Sequence, residues 1–167
     1  MRTYWTIQYK EAWEQAKHKG ILTGNAAWAI EGYEKAYQWM IGQMVKRLAC
    51  EWCFPVWVWT ERPDLRRRWD SEKGKVFILL QAEIEEKRVL LSDYHAWHSV
   101  LNNSPLEVYE GEKIDLQESW ERIFDMELLR NTPYLTWPGE QYSIELQGVT
   151  PFIPVENLQE IKTFVIR

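Results

Sequence analysis

The sequence predicts an α+β fold: a mixed, largely antiparallel sheet with flanking helices. Three observations lead there. Runs with a period of two, such as Thr3 to Gln8 and Lys75 to Ile84, read as strands because successive side chains point to opposite faces. Tyr33, Tyr37, Met40, Ile41, Met44 and Leu48 recur at helical spacing and read as the buried stripe of a helix. Strands and helices are interspersed without the strict alternation of a parallel α/β sheet. At 167 residues the chain is expected to form one domain, residues 1–167, with a proper core.

Thr3 to Gln8 is the first strand, followed by a helix over Lys10 to Lys19 that Gly20 ends, with Trp13 and Ala16 inward. Ile21-Leu22 returns to the core, and Gly24 to Ala27 is a loop. The long helix runs from Trp28 or Glu31 to Leu48. Phe54 to Thr60 is apolar on both faces until its end, as in a strand covered on both sides. Glu61 to Asp70 is a charged loop holding the basic cluster Arg66, Arg67 and Arg68. Lys75 to Ile84 and Val89 to Leu91 are strands. A helix follows Ser92-Asp93 and ends before Pro105. Leu116 to Phe124 is a helix, Asp125 to Pro138 is irregular, and Gln141 to Thr150 is a strand. Pro154 to Leu158 turns into a last strand over Ile161 to Ile166.

The stretch Arg88 to Asn103 concentrates the polar signals. An apolar strand hands over to a helix at Ser92-Asp93, both good N-cap types because their side chains accept from unpaired helix N–H groups. His95, His98 and Asn102 form a stripe beside Tyr94, Trp97 and Leu101. Strand ends and helix starts are common places for binding chemistry. The plainer reading is that Ser92 or Asp93 caps a helix whose histidines face solvent. His95 and His98, even with Asp93, are too few ligands for a metal site, so no metal is expected. Cys50-Glu51-Trp52-Cys53 has redox or half-zinc spacing, yet no second cysteine pair exists. Two unpaired thiols at a helix end is the plainer reading there.

Eleven tryptophans and eight tyrosines are unusual in this length. Rings of this kind wall ligand clefts, but they also build cores. A net charge of −5 argues against extended nucleic-acid binding, and no stretch reaches the length of a membrane span. The first fifteen residues lack the apolar core of a signal peptide. A soluble cytoplasmic protein is expected, whose two cysteines make no disulfide framework.

The pieces YWTIQ, PVWVW with RPDLR, LLSDYHAWHSVLNN, SWERIF and LQGVTPFIPVENL together resemble the DUF3841 family of uncharacterised bacterial domains. A second resemblance is to ADP-ribosyltransferase-like folds. It rests on Gly20-Ile21-Leu22 after the first helix, on Gln147-Gly148-Val149, and on the corner Ile153-Pro154-Val155-Glu156-Asn157-Leu158. This likeness implies a cleft for a nucleotide such as NAD. The sequence departs from the pattern where the catalytic glutamate would fall on Val149, and the first strand has no His or Arg between Tyr4 and Thr6. Glu145 lies two residues before Gln147 and shares its face in a regular strand.

Two functions compete. In the first, a small-molecule nucleotide stacks against Tyr4, Trp57 or Trp59. Arg66 meets a phosphate, and Gln8, Asp93 and Gln147 hold hydroxyls or amides. Glu145 and Asp93 are the candidate catalytic carboxylates, since a carboxylate stabilises a cationic sugar. Asp64, His98, Asn102 and Arg122 complete the set that is expected to converge. In the second, the chain is a non-catalytic protein-interaction or inhibitory module whose partner is a protein, and its aromatics are interface anchors.

Overall fold

A long antiparallel strand pair forms the backbone of the main sheet. β1 (Arg2–Tyr9) and β4 (Val76–Ile84) run antiparallel in unbroken register from Arg2 opposite Ile84 to Tyr9 opposite Phe77. Residues 1–28, 31–66, 72–136 and 138–167 are described in this computed structural model. Arg67, Arg68 and Asp70, part of the predicted basic loop, lie outside the described residues.

The remaining strands are β2 (Ile21–Thr23), β3 (Val56–Trp59), β5 (Leu90–Asp93), β6 (Leu146–Thr150), β7 (Phe152–Pro154) and β8 (Leu158–Val165). Together with β1 and β4, four of these form a six-stranded sheet in the order β5-β6-β3-β1-β4-β8, and β2 pairs with β7 in a small second sheet. Every neighbouring pair is antiparallel. The helices are α1 (Lys10–Lys19), α2 (Glu34–Leu48), α3 (Tyr94–Leu101), α4 (Leu116–Trp120) and α5 (Met126–Arg130). The architecture is therefore α+β, as the interspersed pattern predicted.

The sheet is divided at its middle. β1 and β3 are matched only at Trp5 opposite Trp59, and the Thr6 hydroxyl donates to the Trp57 carbonyl at 2.7 Å beside that bridge. The halves β5-β6-β3 and β1-β4-β8 are thus joined by a short seam. Alternation along β3 sends its residues to two cores. Val56 and Val58 join Tyr4, Trp13, Ile78, Leu80 and Ile153 under α1. Trp57 packs with Val149 against Met40 and Met44 of α2, Trp97 of α3, and Trp120 and Ile123. Burying side chains of this size stabilises by about 1.5–3 kcal/mol each before entropy is counted. The two cores take up five of the eleven tryptophans, Trp13, Trp39, Trp57, Trp97 and Trp120.

Several boundaries differ from expectation. The long helix starts at Glu34, not at Trp28 or Glu31, because Gly32 takes the left-handed φ of 95° and breaks the helical path. The last part of the predicted Gln141–Thr150 strand is β6, but pairing begins only at Leu146, so Tyr142 and Ile144 lie before the strand. The segment expected to be irregular contains α5, capped by Asp125 accepting from Leu128 N–H. The final strand begins at Leu158. Among the described residues no helix is long and apolar enough to cross a membrane.

Candidate functional site

The strand-to-helix junction forms as its sequence suggests. Asp93 ends β5 and caps α3, its carboxylate accepting from the Ala96 N–H at 2.8 Å. The same carboxylate accepts from the Glu145 N–H at 2.9 Å and from the Tyr142 hydroxyl. Asp93 is 0% exposed. Burial, then the Asp93 hydrogen bond and charge, pushes the Tyr142 phenol far up, so it stays a neutral donor. The Tyr94 N–H in turn donates to the Glu145 carbonyl at 2.8 Å. Asp93 therefore clasps the chain entering β6 to the start of α3.

In front of this clasp lies a cleft of about 440 Å³. Trp59 at the end of β3 and Tyr94 at the start of α3 give it aromatic walls, their ring centroids 5.4 Å apart and inclined by 52°. Ile144 and Leu146 supply apolar lining, and the loop after β3 brings Glu61, Arg62 and Asp64. Glu145 opens on the cleft, with Oε2 3.3 Å from His95 Nε2. Arg62 stands 5.5 Å over the Trp5 ring, a cation–π contact that holds it beside the bridge between the sheet halves. Among the described residues the lining holds three carboxylates and one arginine, and Arg66 beside it is paired with one of the three, Asp64.

The predicted residues do not converge. Trp59, Asp64 and Glu145 line this cleft. Gln8 and Trp57 line a smaller hollow of about 150 Å³ near the sheet's seam, where Gln8 Nε2 donates to Thr6 Oγ1 at 2.8 Å. Trp57 there meets Tyr37 and Trp97, with centroids 6.3 and 5.2 Å away. Its indole Nε1 is buried beside Tyr37. Tyr4, expected as a stacking surface, is 1% exposed and belongs to the core.

Gln147 is buried in β6 and donates to Ser92 Oγ at 3.4 Å. Arg66 is exposed and forks onto Asp64, with Nη2 2.9 Å from Oδ2, so its nearest anion is its own turn. His98 is exposed, with Nδ1 2.9 Å from the Tyr94 carbonyl, and Asn102 is the exposed C-cap of α3. Arg122 grips Glu112 bidentately at 2.6 and 2.7 Å and donates to the Leu106 carbonyl at 2.8 Å. That pair holds the Glu112 carboxyl down at about 2. It pins the acidic loop to the stretch after α4.

Two cleft residues were read otherwise from sequence. Tyr94 was counted as part of an apolar helix stripe, yet as the first residue after a cap it faces the neighbouring strand end. Arg62 lies in the charged loop, where the only basic residues that sequence alone singles out are the cluster Arg66, Arg67 and Arg68. Its contact with Trp5 follows from the Trp5–Trp59 bridge, which only strand pairing reveals. Val149, where the transferase resemblance would put a glutamate, is 1% exposed and opposite both Trp57 and Leu90. Glu145 precedes β6, so the regular-strand argument that gave it the face of Gln147 does not apply.

The fold is an α+β domain with a divided antiparallel sheet and, at the β3–α3 edge, a cleft lined by aromatic rings and carboxylates. Residues 3–107 match the family model described as a domain of unknown function, DUF3841, and the chain belongs to that family. The match takes in β1 to α3 and the Trp59, Asp64 and Tyr94 side of the cleft, while Glu145 lies past its end. No curated protein and no solved structure matches the chain.

Proposed function

We propose that the cleft binds a nucleotide through a flat, positively charged ring, the nicotinamide end of NAD being the chemistry that fits. The observation that carries this is the pairing of Trp59 and Tyr94 walls with the Glu145, Asp64 and Glu61 carboxylates in one cleft. A cationic ring gains from both the ring faces and the carboxylates. Glu145 accepts from the ribose hydroxyls, and His95 orients its carboxylate. Arg62 is the cation nearest to a phosphate. The proposal is one of binding. With Val149 in the core, any glycosidic chemistry rests on Glu145 alone, which would stabilise positive charge on the sugar. Asp93 positions Glu145 through its backbone and does not meet the ligand.

The test is thermal unfolding of the whole chain with NAD, nicotinamide mononucleotide or ATP in excess. A ligand at a hundred times its dissociation constant adds about 2.7 kcal/mol, a rise of several degrees for a chain of this size. Both nicotinamide nucleotides are expected to raise the midpoint and ATP is not. Equal shifts with ATP and NAD would sink the ring argument. A second reading draws on the same lining: a partner protein could seat a lysine or arginine side chain between the rings and carboxylates. In that case no nucleotide shifts the midpoint, and a basic peptide does.

A further inference from the structure

A second cavity lies on the other side of α2's end, away from the cleft just described. It has a volume of about 500 Å³, and both cysteines line it together with Trp52, Arg88, Ile21 and Phe152. The local chain explains the placement. α2 ends at Leu48, and Ala49 takes the left-handed conformation with φ 52°, which turns the backbone before Cys50. Cys50 and Cys53 are both free and half-buried. Both face the same cavity, and, after burial, Cys50 is one of the neighbours that raise the Cys53 thiol. Cysteines three apart in sequence can be joined by a disulfide when their Cα atoms come within about 4.4–6.8 Å, a span that a short connecting segment can adopt. Among the described residues no group of three or more His, Cys, Asp or Glu could hold a metal ion, so a zinc site does not compete for the pair.

We propose that Cys50 and Cys53 are a reversible dithiol–disulfide pair that exchanges with a small disulfide entering this cavity. The balance is simple. The Cys50 thiolate attacks one sulfur of the small disulfide, whose S–S bond breaks and releases one thiol after it takes a proton. Cys53 then loses its proton and attacks the Cys50 sulfur, breaking the mixed disulfide and releasing the second thiol. Two protein thiols are oxidised, and one small disulfide is reduced to two thiols. The order of attack follows from the environment. Burial first, and the neighbouring Cys50 second, push the Cys53 thiol up, so Cys53 keeps its proton longer and acts as the resolving thiol. Closure would tie the end of α2 to the strand that follows, β3.

The experiment treats the reduced whole chain with excess oxidised glutathione, quenches with an alkylating reagent and reads intact mass. The wild type is expected to lose two hydrogens and take no alkyl group, with no dimer. Cys53→Ser is expected to accumulate a glutathione adduct on Cys50, and Cys50→Ser to react about tenfold more slowly. Wild type that retains two alkylatable thiols, stops at a mixed disulfide or cross-links between chains would overturn the proposal. Equal reactivity of the two variants would overturn the assigned order.

Discussion

Asp93 and Glu145 are neighbours bound by one hydrogen bond, and they occupy opposite kinds of place. Asp93 is sealed in, its carboxylate holding the Ala96 and Glu145 N–H groups and the Tyr142 hydroxyl. Glu145 is half-buried, meets His95 and opens on a cleft beside two aromatic rings. A carboxylate surrounded by short donors is a fastener. A carboxylate at the wall of a cleft, as Glu145 is, borders open space. Sequence reading had put the two on the same footing because residue type alone does not reveal which donors surround an oxygen.

The largest test of this contrast is Asp93→Ala. It would leave two N–H groups and a hydroxyl without their acceptor and remove the cap of α3. A loss of about 3 kcal/mol or more is expected in denaturant unfolding. A loss under about 1 kcal/mol would mean that the clasp holds nothing.

Gly148→Ala strains the pairing that carries the clasp. An added Cβ would lie 2.5 Å from Val89 Cγ1 and 3.2 Å from Leu91 Cδ2, so the Val89 side chain must move or the strands must part slightly. A cost of about 1–3 kcal/mol is expected. A neutral result in the same unfolding assay would show that the strands separate freely.

A third test removes a charged pair that serves structure only. The Glu112 carboxyl is held near 2, below its ordinary 4.5, chiefly by the hydrogen bonds from Arg122. A depressed acid contributes stability that is full above 4.5 and is lost as pH falls through about 2. Arg122→Leu should therefore lose part of the acid dependence of stability between those limits. An unchanged pH profile would contradict the role given to this pair.

The smallest stability effect belongs to Glu145→Gln. Its side chain makes a partly exposed contact with His95, so stability should change by less than about 1 kcal/mol. Ligand response is where this variant should differ.

What was legible in the sequence was local. The N-cap at Asp93, the stop at Gly20 and the stripe of α2 depend on residues within a few positions of each other. The α+β class followed from the same local periods. What was not legible depended on pairing between distant strands. The bridge of Trp5 to Trp59 divides the sheet and places Arg62, and no local pattern announces it. The small β2–β7 sheet joins residues more than a hundred positions apart. Arg66 and Arg122 looked like anion binders because arginines with unseen partners always do; each has a carboxylate of its own.

The most direct measurement is the NAD-induced rise in unfolding midpoint for wild type beside Glu145→Gln, with the unfolding free energy of each recorded in the same buffer. The account predicts a rise of several degrees in wild type, its loss in the variant, and nearly equal stability without ligand. An equal rise in both proteins, or none in wild type, would contradict the cleft as a site for a cationic ring.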